Sequence, residues 1–337
     1  MAQVEGTSME ASAARALLVA ALERAGCNAA NAGALADNIC IAELSGAHSH
    51  GFFRLPGYFS ALKSGKVNGH ARPRVSRPRP GILRIDGDGG FAPTAHRVMM
   101  EPLQEAAAEQ GVIIAALANI HHFSALWIEV EALVERGFVA LACTSFKPAI
   151  PPAGGTKPLF GTNPIAFGVP REGVEPMVFD QASAVMARGE VMLAARAGRS
   201  LPDGTGLGPN GSPTNDPNEV LNGALLPFGG YKGASIAMMV ELLAGPLVGE
   251  TLSFETAEHD NNDGGPPRGG EFILAIDPAS SRGDNGFAQH AERLFVEMQA
   301  QERVRLPGTR RQRQRAESRD LITVPAETMN LLKRLIS

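Results

Sequence analysis

The sequence predicts a mixed α/β protein. A helical domain is assembled from both ends of the chain (1–75 with 287–337), and a sheet domain is inserted between them (76–286). Three observations predict this. Apolar residues recur at helical spacing near both ends. From residue 81, apolar runs rich in β-branched residues alternate with helical stretches. The chain of 337 residues, 44% hydrophobic and 20% charged, also has material for two cores.

Residues 9–25 read as a helix, with Ala14, Leu17, Leu18 and Leu22 at helical spacing and Gly26 as its stop. A second helix is expected over 29–44, with Leu35, Ile39, Ile41 and Ala42 on or near one face, and a short one over 53–64, ended by Gly65. Residues 66–80, rich in Pro and Arg, read as a connector. "GILRIDGDGGFA" reads as a strand and glycine turn, and 93–110 as a helix with Pro93 in its first turn. "GVIIAALANI" reads as a buried strand, 124–136 as a helix and "GFVALACTSF" as another strand. The loop "KPAIPPAGGTKPLFGTNP" leads to strands in "IAFGVP" and "PMVFDQA". Residues 197–223 read as a loop, "YKGASIAMMVELLAGPLVG" as a buried helix, 255–270 as a mobile excursion and "EFILAIDP" as a strand. The tail from 287 reads as helical, interrupted by "RVRLPGTRRQRQR".

The formal net charge is −4 and only 5% of residues are aromatic, which argues against nucleic acid or an anionic membrane as a partner. Cys27, Cys40 and Cys143 are widely spaced, with no C-x-x-C. That fits a reducing cytoplasm better than a disulfide or zinc framework. "MAQVEGTSMEASAARALLVAALERAG" lacks a basic leader, and Glu10, Arg15, Glu23 and Arg24 break its apolar residues. It reads as an amphipathic helix, not a signal peptide. No run approaches the ~18 apolar residues of a membrane span.

Gly87-x-Gly89-x-x-Ala92 formally matches a dinucleotide fingerprint. The acidic residue expected about 20 positions later is missing, and Asp86 and Asp88 would face the phosphates, so an ordinary turn is the better reading. His48 and His50 are two apart, and His121 and His122 are adjacent. Neither pattern gives the helical spacing of a zinc pair, and no metal is expected.

"GAHSHGFFRLPGY" places Ser49, His50 and Arg54 together. A histidine exchanges protons near neutral pH, and a guanidinium grips a carboxylate bidentately. The pair suits a small 2-oxo, 2-imino or 2-hydroxy acid; a helix-capping turn is the other reading. His122, Phe123 and Ser124 stand where helix amides could meet an anion, or where Ser124 simply caps. Thr162 lies in the turn "FGTNP", able to bond substrate or backbone. Lys232 opens a glycine-flanked helix, and the three arginines of "RLPGTRR" offer a site for a 2′-phosphate or a solvated surface.

Taken together and in order, "SHGFFRLPGY", "HHFSALW", "FGTNPIAFGVP", "FDQAS", "PFGGYKG" and "RLPGTRR" resemble the malate/lactate dehydrogenase-like NAD(P)-dependent oxidoreductases, which lack a Rossmann fold. The likeness runs from residue 10 to residue 335. Within that family "HSHG", "HHFSALW" and "LLPFGGYKG" look closest to the branch reducing Δ1-piperideine-2-carboxylate and Δ1-pyrroline-2-carboxylate.

The resemblance implies a mixed or antiparallel sheet carrying the cofactor, NADPH with NADH also possible, a cyclic imino acid or 2-oxo acid as substrate, and a homodimer. It implies a relay of Ser49 and His50, with Arg54 and Thr162 on the substrate carboxylate. Cofactor contacts would fall on His122, Phe123, Ser124, Ala125 and Leu126; on Asp180, Gln181 and Ala182; on Tyr231 and Lys232; and on Arg305, Leu306, Pro307, Gly308, Thr309, Arg310 and Arg311. One segment departs from the pattern. Where the ketimine reductases carry an Asp in "HGD", this chain reads "ARGE", so Glu190 would complete the relay and Arg188 would pair with it or contact substrate. The alternatives are a dehydrogenase of a 2-hydroxy acid (malate, lactate or ureidoglycolate) and a non-catalytic protein binding a cofactor or small acid.

Overall fold

The computed structural model describes residues 6–337, so the first five residues of the expected amphipathic helix lie outside it. Strand β1 (Gly6–Glu10) leads into α1 (Ala11–Arg24). Helix α2 (Ala29–Leu44) starts where the Asn28 side chain accepts from the Asn31 amide. Two 3-10 turns, His48–His50 and Phe52–Arg54, precede α3 (Leu55–Lys63). Next come β2 (Arg74–Arg79), β3 (Ile82–Phe91), α4 (Ala92–Gln110), β4 (Val112–His121), α5 (Trp127–Val134) and β5 (Val139–Thr144). Strands β6 (Ile165–Val169) and β7 (Met177–Gln181) lead to α6 (Arg188–Arg196). A small sheet of β8 (Gly206–Leu207), β9 (Pro213–Thr214) and β10 (Ala224–Leu225) holds α7 (Pro217–Asn222) between its last two strands. The chain ends with α8 (Tyr231–Ala244), α9 (Ser253–His259), β11 (Gly269–Ile276), α10 (Pro278–Arg282), α11 (Phe287–Gln299), α12 (Thr309–Ser318), β12 (Leu321–Pro325) and α13 (Ala326–Ile336).

The large sheet has the order β2-β3-β4-β11-β5-β6-β7. Within it only β3 and β4 run parallel, joined through α4. The other ladders are antiparallel, which separates this sheet from the doubly wound parallel class. Alternation along β4 sets two faces. Ile113, Ala115 and Leu117 point to a core with Met99 and Leu103 of α4 and Trp127 of α5. Ile114 and Ala116 point to the other side, where Phe272 and Val240 of α8 pack. A second core joins the chain ends: Leu18, Leu22, Leu35 and Ile39 meet Ile322, Val324, Met329 and Leu332.

Several local expectations change. Residues 6–10 form a strand because they pair antiparallel with β12, from Gly6 opposite Pro325 to Glu10 opposite Leu321. The Pro- and Arg-rich connector contains β2, an edge strand whose proline and arginines discourage further pairing. The expected loop at 197–223 holds strands and a helix. Much of the Arg-rich interruption is helix α12. Helix α8 is only half-buried, with Met238, Met239 and Leu242 exposed along one face. The excursion at 255–270 is pinned, since Lys66 Nζ donates to Asp260 (2.9 Å) and Asp263, and Lys147 Nζ donates to Asp260 (2.7 Å). The Gly-Asp-Gly-Gly turn is a bulge in the β3–β4 ladder between Asp86 and Gly90. A Cβ on Gly87 would lie 2.3 Å from Ile120, so this glycine serves strand packing.

Among the described residues no helix is long and apolar enough to cross a membrane. The three cysteines are free and buried, and burial pushes each thiol up to about 12. A water-soluble disulfide reagent at pH 8 should therefore label none of them in the native protein and all three in denaturant. Rapid native labelling would contradict the packing.

Candidate active site

The turn after α2 is shaped by a buried acid. Glu43 accepts from the Phe52 amide at 2.7 Å and pairs with His48, whose pKa that hydrogen bond raises. His48 is thereby used outside the site. Ser49, His50 and Arg54 instead line a cavity of about 750 Å³. Ser49 Oγ lies 3.0 Å from His50 Nδ1, leaving Nε2 for a ligand. Burial, reinforced by the charge of Arg54 and by His122 when it is charged, drives the His50 pKa down to about 3. With nothing bound the imidazole is neutral.

Arg54 has no carboxylate partner among the described residues, and its buried Nε makes no hydrogen bond. Its guanidinium carbon sits 4.2 Å from the Phe123 ring centroid and 5.6 Å from that of Phe53. Such contacts contribute about 0.5–2 kcal/mol but satisfy no N–H group. Burial lowers its pKa to about 10, which leaves it cationic at neutral pH. It is a half-buried cation without an anionic partner among the described residues. Thr162 reaches the same cavity from the turn after the long loop, where the buried Asn163 donates to Ala237 O (2.9 Å) and Glu241 (2.7 Å) and ties the turn to α8.

Helix α6 brings Arg188 and Glu190 to the cavity. The pairings expected of Glu190 are not formed: its side chain is exposed and makes no hydrogen bond to His50 or Arg188 among the described residues. Arg188 donates to the Leu221 carbonyl at 3.2 Å, and burial lowers its pKa. Gly189, which the sequence did not single out, makes the close approach possible. A Cβ there would lie 3.3 Å from both an Arg54 guanidinium nitrogen and Ser49 Cβ.

His122, Phe123, Ser124, Ala125 and Leu126 form another part of the lining, where the chain leaves β4. Ser124 makes no cap bond to α5. At the far end, Asp180, Gln181, Ala182, Gly308, Arg310 and Arg311 reach the cavity. Arg311 donates to Val178 O (2.9 Å) and Asp180 (3.3 Å) and stacks 4.5 Å over Trp127, while its buried Nε stays unpartnered. Burial lowers its pKa and raises that of Asp180 against the pull of Arg311. Arg310 is exposed and unpaired among the described residues.

The remaining expected contacts stand apart from the lining. Leu306 is buried against Val169, Met177 and Phe295, and Thr309 donates to the Leu306 carbonyl at 2.8 Å. Arg305 and Pro307 are exposed beside that turn, and Tyr231 and Lys232 are exposed at the start of α8. Lys147 is an unanticipated member of the lining. It follows the end of β5, and in a sheet whose ladders are mostly antiparallel no strand-end rule singles it out.

The donor set fits a dinucleotide together with a small acid. There are orphaned guanidinium nitrogens at two places, a free arginine at the rim, and Phe123, Phe146 and Leu126 between. The model of the malate/L-lactate dehydrogenase family matches residues 9–333, and the chain belongs to that family. It is 45% identical over 317 residues, 93% of each chain, to the Delta(1)-pyrroline-2-carboxylate reductase of Ancylobacter novellus. It is 44% identical over 324 residues to the Delta(1)-pyrroline-2-carboxylate/Delta(1)-piperideine-2-carboxylate reductase of Pseudomonas putida, covering 96% of this chain and 95% of that one. The crystal structure of delta1-piperideine-2-carboxylate reductase from Pseudomonas syringae pvar. tomato superimposes with a TM-score of 0.93 at 41% identity, covering 98% of this chain and 99% of that one.

The close approach at Gly189 yields a prediction. Gly189→Val should displace Arg54 and Ser49 and cut kcat/KM by roughly 10²-fold, the scale of a ~1 Å misplacement. Steady-state kinetics of the purified variant would check it; wild-type values would show that α6 does not constrain the site.

Proposed function

We propose that this chain reduces small cyclic imino acids with NADPH, taking Δ1-piperideine-2-carboxylate to L-pipecolate and Δ1-pyrroline-2-carboxylate to L-proline. The observation that carries the reading is the desolvated, acid-free Arg54 beside His50 in one cavity, in a chain more than 40% identical to reductases of those substrates. Arg54 and Thr162 hold the substrate carboxylate. When bound, the reduced nicotinamide supplies the hydride that C2 of the imine takes up. His50 handles the proton on the ring nitrogen, with Ser49 fixing the imidazole through Nδ1.

The electrostatics favour this order of events. In the empty site Arg54 opposes a second positive charge on His50. A bound carboxylate offsets Arg54, so His50 gains proton affinity when the substrate is there to use it. Glu190 and Arg188 then act on the substrate at the rim, rather than as the acid of a triad.

In this proposal the unit built from the chain ends (1–75 with 287–337) supplies Ser49, His50, Arg54, Arg310 and Arg311. The inserted unit (76–286) supplies Thr162 and the lining from His122 to Leu126. Tyr231, Met238, Met239 and Leu242 form an exposed apolar face on α8 that suits a second copy of the chain. Three unpaired cysteines suit the cytoplasm.

Purified protein should oxidise NADPH when given either cyclic imine. His50→Ala should bind cofactor normally and lose about 10²–10⁴ in kcat. No turnover with either imine, beside brisk turnover of malate, lactate or ureidoglycolate with NAD, would replace the proposal by a 2-hydroxy acid dehydrogenase. Binding of cofactor with no turnover on any of these acids would replace it by a sensor. The free Arg310 is the group to receive a 2′-phosphate. Arg310→Ala should raise KM for NADPH about tenfold, the loss of one charge-assisted contact, and leave KM for NADH nearly unchanged. An equal rise for both would remove Arg310 from cofactor discrimination.

A further inference from the structure

In the wall of the cavity, reaching it through His122 alone, lies a buried polar cluster to which the proposed reaction assigns no proton step. His96 of α4, His122 after β4, Glu129 of α5 and Glu271 of β11 bring their N and O atoms within 4.8 Å of one another. His96 Nε2 lies 2.6 Å from Glu271 Oε2, and His122 Nε2 lies 2.8 Å from Glu129 Oε1. Each carboxyl has one oxygen left over. Glu129 Oε2 and Glu271 Oε1 are both buried and unpartnered. Two carboxylates placed this way would repel each other and leave two acceptors unsatisfied.

Two kinds of occupant resolve such a cluster: a divalent cation or a proton. The distances favour the proton. A tetrahedral cation with bonds of ~2.0–2.1 Å separates its ligand atoms by about 3.3 Å. The N···O separations of 2.6 and 2.8 Å are those of hydrogen bonds instead.

We propose that the cluster holds two protons beyond its two carboxylates and two neutral imidazoles, one on His96 and one on Glu129, which is a neutral carboxylic acid at neutral pH, and that His122 is thereby fixed as its neutral Nε2–H tautomer with an Nδ1 acceptor offered to the cavity. Glu129 Oε2–H donates to Glu271 Oε1 and so satisfies both orphan oxygens with one bond. His122 Nε2–H donates to Glu129 Oε1, and cationic His96 donates to Glu271 Oε2. The cluster is then neutral overall, and every carboxyl oxygen has a partner.

The local electrostatics agree with this assignment. Burial raises Glu129 well above the carboxylate range against the pull of His96, with Glu271 adding to the rise. Burial would raise Glu271 too, but His96 outweighs it and holds it ionised. His96 stands raised although burial would lower it, with the charge of Glu271 and its hydrogen bond to the ring leading the opposition. Burial lowers His122. The positive charge therefore rests on His96, not on His122.

This matters for the site, on the reading that His50 carries the substrate's proton. A cationic His122 would add to Arg54 in opposing that proton. The acid chain removes this opposition, so Glu129 and Glu271 act as positioning residues for His122.

The test separates the cluster from the reaction, because none of its readouts needs turnover. Glutamine at 129 reproduces the bonds of a protonated carboxyl: its oxygen accepts from His122 and its amide donates to Glu271. Glutamine at 271 cannot accept from both His96 and Glu129. Glu129→Gln should keep the unfolding midpoint within about 2 °C of wild type, while Glu271→Gln should lose about 4 °C or more.

Infrared spectra at neutral pH should show a protonated-carboxyl C=O band that disappears in Glu129→Gln. Nitrogen NMR should report His122 as the Nε2–H tautomer in wild type and in Glu129→Gln. Stoichiometric divalent metal in the purified protein would overturn the proposal. So would the absence of the carboxyl band, or a Glu129→Gln protein as unstable as Glu271→Gln. If the band and the asymmetry are found and no imine is reduced, the cluster stands and the reading of the reaction falls.

Discussion

A guanidinium without an acid governs this site. Arg54 leaves water at a cost, gains back a fraction from Phe123 and Phe53, and keeps a buried Nε unpaired. Nearly all other arginine and lysine side chains at the cavity have protein partners: Arg188 has Leu221, Arg311 has Asp180 and Val178, and Lys147 has Asp260. Arg54 is thus held ready for an anion that the chain itself does not supply. Burial, with the charge of Arg54 adding to it, keeps His50 neutral when nothing is bound. In the proposed reaction, recognition of the carboxylate by Arg54 and the proton affinity of His50 are linked through the charge of Arg54.

The fold exists, in this view, to hold Arg54 where its desolvation is tolerated. The helical core from the chain ends carries the turn with Ser49, His50 and Arg54, and the sheet carries the opposite lining. The ends are locked to each other by β1 and β12 and by Leu22 and Leu332 in one core. Glu43 shapes the turn from behind, taking His48 and the Phe52 amide. Lys66 and Lys147 clamp the segment at Asp260 and Asp263 against the same cavity. Burial would raise both aspartates, but hydrogen bonds from these lysines outweigh it and keep both ionised, Asp263 at about 2.

What could be read in advance divides along physical lines. Helices α1, α2 and α4 and strands β4 and β5 were legible because each has an apolar pattern of its own. The strand pair β1–β12 was not, since each partner is short and the information lies in a chain end more than 300 residues away. Helix α12 leaves no periodic signal, because "TRRQRQRAES" has no apolar stripe; it is a helix polar all round. Strands of two residues, as in β8 to β10, show no period at all. The site divides in the same way. Ser49, His50 and Arg54 are neighbours in sequence and were found together, whereas Gly189 matters only because α6 docks on Ser49. Segment likeness alone points to Glu190 as a partner for His50; α6 brings it to the cavity, exposed and without a hydrogen bond to His50.

The buried acid cluster extends this division to protonation. His96 and Glu271 are 175 positions apart in the chain, so nothing local announces their contact. Once in contact, their charges cannot be assigned one residue at a time, because the state of each depends on the other three. A state with one carboxyl protonated gives every carboxyl oxygen a partner, and a charge on His96 then makes the cluster neutral. That state leaves His122 uncharged beside His50. The site thus contains two devices with opposite effects on one imidazole: Arg54, which suppresses a proton on His50 until a carboxylate binds, and the Glu129–Glu271 pair, which keeps a further positive charge from His122. A histidine under the first alone would regain its proton affinity on substrate binding only in part, because a second cation would remain. With both, the incoming carboxylate acts on the one charge still opposing His50, and its arrival has the largest effect that this arrangement of charges allows.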